Sequence, residues 1–148
     1  MDPEALASTA TFQLGTVGAV VTERFTRAVA AHDLKPKHAG VLQALLLFPG
    51  ISQQELAQSM GVAPSLMVGL LDHLEAADAV RRERDPGDRR RQVIEVTAEG
   101  RRLFALCAES AAAIESELLD GLGERAGEFR LALAEIAGNL GLPSGKPR

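Results

Sequence analysis

Tryptophan and tyrosine are absent from this sequence, and five phenylalanines are its only aromatic residues. A core must therefore be built from Leu, Val, Ala and Ile, a composition that favours helix over sheet. Cysteine is scarce too. The lone Cys107 excludes an internal disulfide and a multi-cysteine metal cluster. Beside Leu106 in a helical pattern, it reads as a buried, inert thiol. The three histidines, His32, His38 and His73, lack zinc-like spacing, so no metal is expected. Long apolar runs are missing as well. The longest, Ala39 to Phe48, is interrupted by Gln43, whereas a membrane span needs about 20 apolar residues. The start, Met1-Asp2-Pro3-Glu4, is acidic and lacks the features of a signal peptide. A cytoplasmic protein with no membrane partner is the expectation. No nucleophile sits with a plausible base, and no phosphate loop or telling carboxylate pair occurs. An enzyme is therefore not expected, nor a cofactor.

What is present suits one domain spanning residues 1–148: the chain is 46% hydrophobic, enough for a real core. Net charge is −4, which by itself argues against a nucleic-acid binder. The distribution argues otherwise. Residues 81–102 hold eight arginines against five carboxylates, a local charge of +3, while the remainder carries −7. Exposed charges act over about 8–10 Å at physiological salt, so a local basic patch works despite an acidic total.

The pattern is mainly helical. Residues 4–31 read as one long helix, with Leu6, Leu14, Val17, Val21, Phe25 and Val29 at helical spacings. Gly15 and Gly18 either weaken it or allow close packing against another helix. Pro36 suits the first turn of a second, strongly apolar helix over Lys37–Phe48, which Pro49-Gly50 ends. Ser52-Gln53-Gln54-Glu55 forms a capping box, opening a helix to about Met60. Pro64 starts another, to about Ala77. Val80–Arg84 and Gln92–Val96 then read as two short strands. Between them Asp85-Pro86-Gly87-Asp88 suits a type II turn. Thr97 caps a long helix to about Leu119. Gly121-Leu122-Gly123 breaks the pattern, and a last helix covers about Glu124–Leu140. The Gly/Pro/Lys/Arg-rich tail, Gly141 to Arg148, is expected to fray.

Residues 53–72 have the pattern of a helix-turn-helix. Ala57 stands where two helices would cross, and Gly61 opens the turn between them. An ordinary helical hairpin shares some of these features. The arginine-rich hairpin that follows adds a wing: six arginines fall within residues 81–91. In such a motif the first helix spans the backbone, here from Ser52 and Gln53, and the second lies in the major groove. A wing arginine can enter the minor groove, where negative potential is concentrated. Arg89, Arg90 and Arg91 lie beyond the turn, where a tip projects.

At these residues the sequence resembles the MarR family of winged helix-turn-helix transcription regulators. The resemblance covers roughly residues 10–140. It rests on Leu70-Leu71-Asp72-His73-Leu74-Glu75-Ala76, on Asp85-Pro86-Gly87-Asp88-Arg89-Arg90-Arg91, and on Val96-Thr97-Ala98-Glu99-Gly100. Within the family's wing signature, Asp88, Arg90, Thr97 and Gly100 match, and Val96 stands in place of Leu. The resemblance implies a headpiece of about 37–97 and dimerisation helices of about 4–31 and 98–140. Arg90 would be the minor-groove arginine, and Asp88 would brace the wing through an ion pair. Double-stranded DNA with a near-palindromic operator, and a second copy of the chain, are the implied partners.

Gly69 and His73 depart from the family, falling where arginine is frequent on the recognition helix. Asp78 replaces a glycine, and Asp tolerates the left-handed conformation better than most residues. No Lys or Arg occurs between Gln53 and Val80, so this helix cannot grip guanine bidentately. Pro64, Ser65, Val68 and Gly69 offer a hydroxyl, apolar contact and close backbone approach. His73 reads either as a phosphate contact or as a surface histidine. Lys35, Lys37 and His38 read as an ordinary helix start or as phosphate contacts.

Leu103, Leu106, Leu118, Phe129, Leu133 and Ile136 are among the candidates for the dimer interface. The family commonly releases DNA on binding a small aromatic or anionic effector. By resemblance its pocket would be lined by Val21, Arg24, Phe25, His38, Leu42 and Phe104, and a repressor is the commoner outcome. A winged-helix protein-interaction module that has lost specific DNA binding is the alternative.

Overall fold

The computed structural model describes residues 3–143. It is mainly helical with one antiparallel hairpin. The elements are α1 (Glu4–Ala7), α2 (Ala10–Ala30), α3 (Pro36–Leu47), α4 (Gln53–Ser59), α5 (Pro64–Ala76), β1 (Val80–Arg84), β2 (Gln92–Val96), α6 (Ala98–Leu119), a 3₁₀ turn (Asp120–Leu122) and α7 (Arg125–Asn139). Of the tail expected to fray, Ser144 to Arg148 lie outside the described residues.

The long helix expected over residues 4–31 is two helices. Thr9 is extended (ψ 141°), and its hydroxyl accepts the Phe12 backbone N–H. A side chain that caps its own downstream amides starts a new helix instead of continuing the old one. The expected box at α4 forms in full. Ser52 Oγ accepts from Glu55 N–H at 3.2 Å, and a Glu55 carboxylate oxygen accepts from Ser52 N–H at 2.7 Å. Gly61 takes φ +62° between α4 and α5, with Ala57 buried at their crossing.

The contacts divide the chain into two units, one ending at Ala111 and the other beginning at Ala112. The first has a core of Val41, Leu42 and Leu45 from α3, Leu56 from α4, Met67, Leu71 and Leu74 from α5, and Val80 and Ile94 from the hairpin. Leu103 and Cys107 of α6 belong to this core. Leu103, expected at a dimer interface, is therefore taken by the chain's own interior. Desolvation pushes the Cys107 thiol above its ordinary pKa, as an inert thiol requires. Most of α2 lies outside the core: Val29 is its one buried residue, and Phe12, Leu14, Val17 and Val20 are exposed. In the second unit Leu119 is buried, whereas Leu118, Phe129, Leu131, Leu133, Ile136 and Leu140 are exposed. Arg130 pairs with Glu115 there at 2.9 Å.

The hairpin pairs Val80 with Val96, Arg82 with Ile94 and Arg84 with Gln92. Its tip is not the type II turn expected, because Gly87 lacks the positive φ that turn requires. Instead Asp85 Oδ1 accepts from Gly87 N–H at 2.8 Å, a side-chain-made turn. An isolated bridge between Ser52 and Val93 adds the loop before α4 to the hairpin's free edge.

The hairpin joins the helices at one tight junction. Asp78 leaves α5 in the left-handed region (φ +57°). Thr97 Oγ1 donates to the Asp78 carbonyl at 2.6 Å and accepts from Gly100 N–H at 3.0 Å, while Thr97 N–H donates to the Ala79 carbonyl at 3.0 Å. Gly100 is pressed against this corner. A Cβ there would stand 2.1 Å from the Ala79 carbonyl oxygen and 2.7 Å from Val96 Cγ1. Neither obstacle is the end of a flexible side chain. Gly100→Ala should therefore destabilise the chain by about 2–3 kcal/mol, read as a lower urea midpoint at unchanged slope.

Candidate nucleic-acid interface

A cleft of about 580 Å³ opens between the starts of α4 and α5 and the hairpin. Ser52, Gln53, Gln54, Pro64, Asp88, Arg90, Arg91 and Gln92 line it. Residues far apart in the chain thus meet on one surface. Ser52 and Gln53 stand there because the capping box starts α4 at that point. Pro64 stands there because its fixed φ suits the first position of α5. Further along α5, Ser65, Val68 and Gly69 are exposed, and Met67, Leu70, Leu71 and Leu74 turn inward.

The arginines divide by partner. Arg82 lies opposite Ile94 and on the same face of the hairpin as Val80, which is buried. Its side chain is only 16% exposed, and its guanidinium bonds Glu75 at 3.0 Å and Asp72, both on α5. These hydrogen bonds raise the Arg82 pKa and lower that of Glu75. Strand parity was a partial signal in the sequence: Arg82 had to share a face with Val80, and the Asp72 and Glu75 carboxylates beside it make it a tether. Arg91, expected to contact DNA, lines the cleft beside Arg90 and also has partners within the chain. It donates to the Gly50 carbonyl at 2.7 Å and stands 3.6 Å from Glu55. Glu55 is held below its ordinary pKa by the backbone and side chain of Ser52, with Arg91 adding a smaller effect. Arg102 pairs with Glu99. Among the described residues Arg81, Arg84, Arg89 and Arg90 have no side-chain partner, so cationic groups remain along the hairpin and at its tip.

Asp88 differs from its expected role in one respect. Among the described residues it makes no ion pair. Its Oδ1 accepts from Arg90 N–H at 3.0 Å, and its carbonyl accepts from Arg91 N–H at 2.9 Å. Those bonds shape the backbone from which the Arg90 side chain departs into solvent.

His73 is placed against the phosphate contact considered for it. Its Nε2 donates to the Asp33 carbonyl at 2.6 Å, and its ring stacks on His38 with centroids 4.3 Å apart. His38 and Leu42, expected to line an effector pocket, are buried within the first unit. Val21, Phe25 and Phe104 are half-buried, and Arg24 is exposed. His38 Nδ1 accepts the Lys35 N–H at 2.9 Å, closing the first turn of α3.

This is a winged helix-turn-helix, a class of fold that presents one helix and one β-arm to duplex DNA. The sequence comparisons agree. Residues 32–91 match the MarR family. The transcriptional regulator HosA of Escherichia coli O111:H- is 31% identical over 99 residues, which are 67% of this chain and 73% of HosA. Among solved structures, CouR from Rhodococcus jostii RHA1 bound to p-coumaroyl-CoA aligns with a TM-score of 0.72 at 32% identity, over 90% of this chain and 95% of that one. The transcriptional repressor CouR bound to a 23-mer DNA duplex aligns with a TM-score of 0.79 at 28% identity, over 95% and 98%. The chain belongs to the MarR family and is a transcriptional regulator.

The histidine stack generates a pH prediction. Burial, then His73, then Lys35 lower the His38 pKa from 6.5 to about 4, with Asp33 opposing them. The unfolded chain takes up this proton first as pH falls. Stability from neutral His38 is therefore full above pH 6.5 and is lost toward pH 4, by up to about 3 kcal/mol. An NMR titration should find the His38 ring neutral down to about pH 5. A midpoint near 6.5 would contradict the burial argument.

Proposed function

We propose that this regulator binds a near-palindromic duplex operator as a homodimer and represses transcription until a small ligand releases it. One observation carries the DNA reading: the cleft joins the starts of α4 and α5 to a hairpin tip whose Arg89 and Arg90 guanidiniums have no partner among the described residues. An unpaired arginine on a projecting arm matches the negative potential of a narrow minor groove. Pro64 brings the start of α5 to the same surface, and the positive end of a helix dipole favours phosphate. The complex of CouR with a DNA duplex favours this reading over a protein-interaction module.

The dimer reading is supported by apolar surface. Phe12, Leu14 and Val17 on α2 are exposed, as are Phe129, Leu133 and Ile136 on α7. Such residues at helical spacing call for a partner, and a two-fold pair of headpieces would read half-sites about 10 bp apart or a multiple of that. For the effector, Phe25 and Phe104 supply aromatic surface and Arg24 a positive charge, alongside Val21. A ligand acts if it binds better to the headpiece spacing that cannot straddle adjacent grooves. CouR, solved with an aromatic, anionic thioester, is a relative whose ligand has that chemistry.

Arg90→Ala should weaken binding to a selected duplex by about 1–3 kcal/mol, roughly 5- to 150-fold, and leave the sedimenting species unchanged. For the parent protein, about six phosphate contacts imply that log affinity falls against log salt with a slope near −5. Equal affinity of parent and variant would remove Arg90 from the interface, and a flat salt response would remove the DNA reading.

A further inference from the structure

The side of α5 that would enter the major groove, on the DNA reading above, has an uncommon chemistry. Neither α4 nor α5 carries a lysine or arginine. The bidentate grip on guanine O6 and N7 cannot come from them. The acidic side chains of α5 are occupied, since Arg82 holds both Asp72 and Glu75. His73 is committed to the Asp33 carbonyl and to His38. The first turns of a recognition helix are the ones that meet base edges. There the exposed residues are Pro64, Ser65, Leu66, Val68 and Gly69.

Their arrangement is specific. At about 100° per residue, Ser65, Gly69 and Asp72 form the outermost ridge, and Leu66 and Val68 flank it on opposite sides. Leu66 is 42% exposed and Val68 40%, although the inward stripe of α5 is complete without them. Between the two flanks Gly69 leaves the backbone bare at one position, and a Cβ there would meet nothing within 4 Å. The helix can therefore approach closely and present two aliphatic side chains and one hydroxyl.

The C5 methyl of thymine is the apolar group that a base pair displays in the major groove. We propose that Leu66 and Val68 are specificity-determining residues that select thymine by packing on its methyl, with Ser65 as the accompanying hydrogen-bonding group. This rests on the DNA-binding reading and names its substrate class: operators with thymine beneath the first two turns of α5 in each half-site. Guanine and cytosine are disfavoured there because aliphatic side chains would desolvate their polar edges without replacing the lost hydrogen bonds.

The test is selection of duplexes from a random pool with the full chain, followed by single dT to dU replacement in the selected site. That replacement removes the methyl and nothing else. Thymine should recur in each half-site, and each contacted methyl removed should weaken binding about fourfold, the worth of one buried methyl. Leu66→Ala combined with Val68→Ala should abolish this sensitivity while binding through the wing persists. Guanine at those positions, or dU duplexes bound as tightly as dT duplexes, would overturn the proposal and leave DNA binding standing. Failure to bind any duplex at low salt would overturn the DNA reading and this inference with it. The dU series uses the unaltered protein, so misfolding of the double variant would not blunt the test.

Discussion

The placement of the arginine-bearing hairpin depends on the corner where α5, β1, β2 and α6 meet. Thr97 uses its hydroxyl twice there, donating to the Asp78 carbonyl and accepting from Gly100 N–H, while its amide donates to Ala79. The link from α5 to β1 and the link from β2 to α6 are thereby fixed to each other by one residue, and the left-handed Asp78 supplies the bend that lets them converge. Because Gly100 has no side chain, the start of α6 closes onto the Ala79 carbonyl. The hairpin's base is rigid as a result, so its direction is set relative to α5.

Two arginines extend that control along the hairpin. Arg82 ties β1 to the acidic residues of α5, and Arg91 ties the far strand to the loop before α4. Each has its charge opposed by a carboxylate of the same chain. The division of labour makes physical sense: a guanidinium with carboxylate partners orients an arm, and one without such partners keeps its charge exposed to solvent. Asp88 shapes the tip by accepting the Arg90 backbone N–H. The overall negative charge of the chain is compatible with a positive arm, because Asp72, Glu75 and Glu55 beside the hairpin are paired with its tethers and residues 81–102 still carry a local charge of +3.

The stacked histidines link parts of the first unit that the chain separates. His73 comes from α5, while His38 and the Asp33 carbonyl flank the turn from α2 into α3. A recognition helix fastened by an aromatic stack and a backbone carbonyl is held along its own length as well as at its ends. His73 is thereby engaged through its Nε2 and its ring face while remaining half-buried, and the outward chemistry of the first turns of α5 is that of small and aliphatic residues.

Much of this architecture was legible in the residues. Local rules act within a few positions, so the Ser52/Glu55 box, the glycine turn at Gly61, Pro64 as a helix start, both strand spans and the Thr97 cap could all be read directly. The break at Thr9 was missed because helical periodicity ran across it, and a side-chain cap outweighed that pattern. The turn at Asp85 was misread because its carboxylate, and not a left-handed glycine, closes it. What only the tertiary structure decided was partnership over long separations: which arginines are tethers, that His73 faces Asp33 and His38, and that Leu103 is core. Sequence determines the donors, acceptors and apolar periods available to each segment. Which of them meet depends on packing among elements that lie tens of residues apart, and that is a property of the folded chain.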